Sequence, residues 1–202
     1  MHPNAAFDWK SREEMLEFVS RQSFAHVFTS SDSGLFVVHA PVLVTRDNNI
    51  RFHIARRNRI ADQIAGRSVL ISIAGRDAYH SANWYAADNQ VPTWHYEAVE
   101  IEGVALPLTN QELVEFLDRL SDRFEGEYSP DQPWTRAKME PGKFEAMTRA
   151  IIGFEVVPTE IRGTRKFNQH KAGADLQASI DGQCQAGRQD IVAAMRELSA
   201  KA

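Results

Sequence analysis

Apolar residues change their spacing repeatedly along this 202-residue chain, and each change marks an element. Behind Ser11-Arg12-Glu13-Glu14, Met15, Phe18 and Val19 recur at helical spacing. The serine can accept an orphan backbone N–H and Glu14 can reach back, so a short amphipathic helix is predicted over 11–21. The pattern then turns to Val, Ile, Phe and Thr at 24–30, 35–45 and 50–54, separated by Asp32-Ser33-Gly34 and Asp47-Asn48-Asn49. Those are turn formers between β-rich runs, so three antiparallel strands in a meander are expected. Pro41 interrupts the second run and belongs at an edge or a bulge, because it donates no ladder hydrogen bond. Ile60, Ala61, Ile64 and Ala65 suggest a short helix ended by Gly66. Strands are predicted at 68–74, 78–83 and 95–108.

A second capping box, Thr109-Asn110-Gln111-Glu112, precedes Leu113, Phe116, Leu117, Leu120 and Phe124, which gives the clearest helix, 110–124. After a loop containing Gly126, Pro130 and Pro133, Pro141 suits the first turn of a helix over 141–150. Strands at 151–157 and 160–167 complete the sheet, and 188–200 reads as a terminal helix that packs on a partner or stays mobile. Six or more short strands with helices inserted late predict a mostly β fold with helical additions (α+β), its core a closed or nearly closed antiparallel barrel. No GxGxxG follows a strand, which argues against a doubly wound nucleotide fold. The expected organisation is one barrel domain with inserted helices over 1–171 and a helical tail over 172–202.

Composition narrows the functional classes. No apolar run of about 18 residues exists, which argues against a membrane span. The N-terminus lacks a cationic-then-apolar leader pattern, and the single cysteine, Cys184, has no disulfide partner within the chain. The cytoplasm is the expected compartment. A net charge of -4 and a pI near 6.0 argue against direct DNA binding, which rests on Lys and Arg neutralising phosphates. No HxxxH or HExxH spacing points to a metal, and no GxSxG elbow points to a serine nucleophile.

Unusual chemistry concentrates in AYHSANWYAADNQVPTWHY, 78–96, which carries Tyr79, Tyr85, Tyr96, Trp84, Trp94, His80, His95 and Asn83 around an exposed loop centred on 86–91. Aromatic faces with polar handles suit a flat ligand, and barrel core or dimer contacts explain the same residues about equally well. HIARRNR, 53–59, brings Arg56, Arg57 and Arg59 with Asn58 to the end of a strand. With the N–H groups of a following helix it would form an anion site; a solvated charge run beside a turn is the commoner case. RGTRKFNQHK, 162–171, is by itself a basic strand end, and His39 reads as a satisfied core histidine. Asp118, Asp122 and Glu115 read as the solvated face of their helix.

Taken in order, REEMLEFV, FVVHAPVLV, HIARRN, AYHSANWY, VPTWHYEAVEIEG, IIGFEV and RKFNQHK resemble the PaiB family, described as FMN-binding negative transcriptional regulators. The resemblance runs to about Lys171. It implies a split β-barrel of the FMN-binding type with a six-stranded antiparallel core, and a homodimer whose flavin lies in a groove between subunits. By motif, Arg56, Arg57 and Asn58 would hold the phosphate, and His53, Ile54 and Ala55 would run beside the isoalloxazine edge. Backbone groups of Val38 and His39 would approach from the adjacent strand. Ser81, Asn83 and Trp84, with Thr93, Trp94 and Tyr96, would line the ring or the ribityl chain. Lys166, Asn168 and Gln169 would close the pocket from the partner subunit. The chain departs from the family at Ala82-Asn83, where Pro is common between the Ser and the Trp, and at His95 and His170, where Asn is commoner.

The function so implied is an FMN-binding regulatory protein. The alternative is a flavin-dependent oxidoreductase, of the flavin reductase or pyridoxamine phosphate oxidase kind, in which the flavin does the redox chemistry and the protein orients it. His39, His53, His80 and His95 are then candidate proton donors, although none has an evident partner in the sequence and no residue is assigned as catalytic. A third reading is another flat anionic ligand, haem or pyridoxal phosphate.

Overall fold

A computed structural model describes residues 2–200; Met1, Lys201 and Ala202, the ends of the expected domain and tail, lie outside the described residues. The element order is α1 (Arg12–Gln22), β1 (Phe24–Ser31), β2 (Gly34–Val44), β3 (Ile50–Ala55), β4 (Ser68–His80), β5 (Thr93–Pro107), α2 (Asn110–Tyr128), α3 (Lys143–Thr148), β6 (Ile151–Lys166), α4 (Gly173–Gln185) and α5 (Gln189–Ser199). The strands run in the order β1-β2-β3-β6-β5-β4, and β4 pairs antiparallel with β1, so the sheet closes as the expected six-stranded barrel.

By internal contacts the chain falls into two compact units. The unit of residues 16–72 and 101–161 contains the barrel pairings just given. Strand alternation selects its interior: Ala25, Val27, Val38, Ala40, Phe52, Ile54 and Ile71 are buried, while Phe24, Phe28, Leu35 and Val37 are exposed on the other face. Phe52 lies directly opposite Phe154 in the register, and their rings stack at 5.5 Å. Pro41 sits where β2 changes partners: residues up to Pro41 pair with β1, and Val42 to Val44 pair with β3. The missing N–H therefore falls at a junction between partners, where the sequence predicts an edge or a bulge.

Helix α2 covers the outer face. Thr109 accepts the Glu112 N–H and the Glu112 carboxylate accepts the Thr109 N–H, so the capping box is complete. Leu113 and Phe116 are buried with Leu43, and Leu108, Leu117, Leu120 and Ile151 pack against them. A Cβ at Gly153 would stand 2.9 Å from both Leu108 Cδ1 and Leu113 Cδ1, so glycine is what permits this close approach.

The second unit comprises the described residues up to 15, with 73–100 and 162–200. Its apolar cluster is Ala78, Phe167, Ile180, Ile191, Val192, Ala194 and Met195, so α4 and α5 have a buried core of their own. The predicted terminal helix is present as α5; α4 was not anticipated.

Three expectations change. Residues 60–66 form a run of turns in place of a helix, with Asn58 Oδ1 accepting the Ile60 N–H at 3.2 Å. Strands 68–74 and 78–83 merge into the single β4, which ends at His80 and leaves 81–83 in a cap and turn, and 151–157 and 160–167 merge into the single β6. In β4 the buried set 69, 71, 73 slips to 78, 80 across Ala74-Gly75-Arg76-Asp77, and such a phase slip reads from sequence as a break. Finally, the helix expected over 141–150 spans only Lys143–Thr148.

Candidate functional site

At the C-terminal end of β3, the strand that supplies the arginine cluster is fixed by its register with β6: His53 opposite Gly153, Ile54 opposite Ile152, Ala55 opposite Ile151. Ile54 points into the barrel and is buried. His53 takes the other face, half-buried beneath α2, with its ring edge-on to Phe116 at 5.7 Å and its Nδ1 enclosed without a hydrogen-bond partner. Burial holds the His53 imidazole below its ordinary pKa, so it is neutral near pH 7.

Beyond Ala55 the chain leaves the sheet. Arg56 N–H donates to the Ala150 carbonyl at 2.8 Å, and its side-chain Nε donates to the Arg149 carbonyl at 2.9 Å. Arg57 is exposed, and the Arg59 guanidinium lies 4.8 Å over the Phe36 ring. No carboxylate within 4.0 Å pairs with any of these three arginines among the described residues. Arg56 borders a recess of about 570 Å³ shared with Asn110, Glu145 and Thr148. The helix whose N–H groups were expected to assist is absent, because residues 58–67 are turns. The Asn58 side chain holds that turn instead. Arg56 and Arg57, without carboxylate partners at this strand end, nonetheless suit a dianionic phosphate, while Arg59 is engaged with the Phe36 ring.

Val38 is buried inside the barrel wall, and His39 corrects its expectation: it lies exposed on the outer face of β2, opposite His26, with the rings edge-on at 4.7 Å. The alternation of β2, with Val38 and Ala40 inward, forces His39 outward.

In the other unit, the aromatic segment is organised by its own hydrogen bonds. Ser81 Oγ accepts the Asn83 N–H and caps a short 3-10 turn, Ala82–Trp84. Trp84 packs face-on to Gly182 of α4, where an added Cβ would stand 2.4 Å from Trp84 Cγ. Trp94 is half-exposed; its Nε1 donates to Asp77 at 3.1 Å and its ring meets Tyr79 edge-on at 6.0 Å. Thr93 and Lys166 are brought together, with Nζ donating to Thr93 Oγ1 at 2.6 Å. Burial lowers the Lys166 pKa and raises that of Tyr96. Asn168 is buried with φ of 59°, donating to Tyr85 Oη at 3.1 Å and Ser179 Oγ at 3.3 Å. Gln169 folds back onto its own chain, accepting from Phe167 N–H and donating to the Ala6 carbonyl.

Two features here escaped the sequence reading. His80 and His95 are fully buried and stacked at 4.6 Å, with Trp84 and Tyr85 edge-on to one and Phe167 edge-on to the other. Desolvation pushes their pKa values down to about 4 and about 3. Arg165 stacks on Trp9 and pairs with Glu14 and Glu97. Helical or strand periodicity carries no signal for such contacts, which join residues tens of positions apart.

Residues 1–160 match the model of a family described as "Putative FMN-binding domain". The chain is 30% identical over 179 residues to the protease synthase and sporulation protein PAI 2 of Bacillus subtilis strain 168, spanning 87% of this chain and 85% of that protein. Among solved structures it is similar to an FAD and heme binding protein of Mycobacterium smegmatis (15% identity, 79% of this chain and 73% of the other, TM-score 0.60). The flavocytochrome Anf3 of Azotobacter vinelandii is also similar (13% identity, 86% and 73%, TM-score 0.61). At those identities the two structures support the barrel fold alone. The match over most of the chain and the PAI 2 relationship place it more closely: the chain belongs to the PaiB family, whose barrel binds FMN.

Proposed function

We propose that this protein is a homodimeric, FMN-dependent regulator of the PaiB type, with the flavin phosphate held by Arg56 and Arg57. The observation that carries the phosphate assignment is the cluster of guanidinium groups without carboxylate partners at the end of β3. The Arg149 carbonyl anchors Arg56 Nε, which fixes the guanidinium plane and leaves its terminal N–H groups free for two phosphate oxygens. Asn58 shapes the turn that presents Arg57. His53, Ile54 and Ala55 would follow the ring edge, with backbone groups of Val38 and His39 beside them.

Ser81, Asn83, Trp84, Thr93, Trp94 and Tyr96 would contribute the aromatic and hydroxyl surface along the ring and ribityl chain. The Lys166–Thr93 bond places a cation in that stretch. Asn168 and Gln169 would act mainly by holding the backbone that carries Lys166, given the partners they already have. Bound FMN would supply reversible redox chemistry and a long-wavelength absorbance. The regulatory role is supported by the relationship to PAI 2, a protein named for protease synthesis and sporulation. With a net charge of -4, regulation through a ligand or protein partner fits better than direct DNA contact.

Titrating purified protein into FMN, with riboflavin as the phosphate-free control, tests the site by flavin fluorescence. FMN should bind at least tenfold more tightly than riboflavin, and Arg56→Ala with Arg57→Ala should abolish that preference while the circular dichroism stays unchanged. Equal affinity for the two flavins, or an unchanged double variant, would overturn the phosphate assignment.

A further inference from the structure

Between α2 and the segment that follows it lies a cavity of about 290 Å³ in the barrel-bearing unit. Leu117, Met139, Phe144, Met147 and Ile151 give it apolar walls, and Trp134 forms part of its rim. Four polar residues reach it: His53, Ser121, Asp118 and Thr148, whose hydroxyl donates to the Glu145 carbonyl at 3.1 Å. Asp118 is already paired with Arg136 at 3.4 Å, so the lining presents no uncompensated charge. His53 has its Nδ1 enclosed without a partner, which leaves Nε2 as the ring atom that a cavity occupant can meet. A space of this size holds one or two fused rings, since about 150 Å³ suffices for benzene. Methionine walls adapt to flat ligands and make favourable contacts with ring edges.

We infer that this cavity is a binding site for a small, uncharged aromatic molecule carrying one hydrogen-bonding group, a phenol or a similar ring, which the His53 imidazole recognises. The cavity shares only His53 with the flavin reading and none of its phosphate-binding residues, so FMN titration and cavity titration can fail separately. A charged ligand is disfavoured by the apolar walls, because a carboxylate there would lose its hydration without gaining a cation. A purely apolar ring would fill the space but leave the imidazole nitrogen unpaired. An occupant of this kind is suited to act as an effector, because it would contact both α2 and the strand that supplies the arginine cluster.

Isothermal calorimetry on the full chain with 4-methylphenol, toluene and benzoate tests this. The expected result is one site per chain for 4-methylphenol, about tenfold weaker binding of toluene and no heat from benzoate. Ser121→Phe should fill the cavity and remove 4-methylphenol binding with the melting temperature retained. His53→Phe should bring 4-methylphenol and toluene to similar affinities, a change that a merely structural role for His53 would not produce. Absence of heat with 4-methylphenol in folded wild-type protein overturns the inference. So does unchanged binding in a folded Ser121→Phe variant. Repeating the titration with saturating FMN separates the two sites: retained binding supports a distinct site, and competitive loss would assign the cavity to the flavin and overturn the inference.

Discussion

Desolvation of two buried imidazoles makes His80 and His95 a pH-sensitive pair of side chains. They are fully buried, they stack on one another, and three of their four ring nitrogens lack a hydrogen-bond partner; the fourth, His80 Nδ1, faces Gln183 Nε2 at 3.3 Å. In the unfolded chain each would titrate near 6.5, whereas desolvation lowers the folded values to about 4 and about 3. Between those values the unfolded state binds protons that the folded state refuses. Stability is therefore complete above pH 6.5 and is lost as the pH falls toward 4. From pH 7.5 to 5.5 each imidazole that stays neutral contributes about 1.4 kcal/mol of lost stability. Urea midpoints should fall over that interval, and His95→Phe, which keeps a ring but cannot titrate, should lose less. Identical pH dependence in the two proteins would show that the stacked pair does not control it. Sequence placed both histidines in a ligand-binding stretch, because spacing reveals which residues are rare in a segment but not whether their rings turn inward.

At the scale of elements, the contact between α4 and the aromatic segment gives a test whose sign is informative. Gly182 lies inside α4, where replacement by alanine on a solvated face would stabilise the helix by about 1 kcal/mol. Here an added Cβ would meet Trp84 Cγ at 2.4 Å, and overpacking of that kind costs about 1–3 kcal/mol. Gly182→Ala should therefore destabilise the protein by chemical denaturation, and a stabilised variant would show that Trp84 does not rest on the helix. The same contact explains what the sequence could and could not convey. Elements set by local pattern were legible: α1 behind Ser11, α2 behind its capping box, and β1 to β3 between their turns. The turn run after Arg59 was not, because four apolar or small residues at helical spacing are too few to offset helix nucleation. Nor was α4, whose buried face includes Ser179, Gly182 and Gln183 beside Ile180 and so carries little apolar periodicity. The arginine cluster was visible as a run of charge. That its guanidinium groups are free of carboxylates, and that Asn168 and Gln169 are already committed, depended on tertiary partners.

For the molecule as a whole, the outer face of the β1–β2 hairpin bears on assembly. Phe28 stands directly opposite Val37 in the register, and Phe24 and Leu35 flank them on the same exposed face, Leu35 with 83% of its surface open. Apolar side chains contiguous across two strands expose an area that a soluble surface rarely carries uncovered. A self-complementary partner is the economical cover, since one two-fold axis buries the patch twice. Phe28→Asp places a charge on this face without touching the barrel interior, so the fold should persist while the dimer dissociates. Sedimentation at micromolar concentration should give twice the monomer mass for the wild type and the monomer mass for the variant. A wild-type monomer would remove the dimer from the functional reading, and a dimeric Phe28→Asp variant would place the interface elsewhere. Measuring FMN affinity on the same samples then ties assembly to the cofactor. If both subunits contribute to each flavin, dissociation should weaken FMN binding although Arg56 and Arg57 are untouched, whereas a monomeric variant with wild-type affinity would mean that one chain holds the flavin alone.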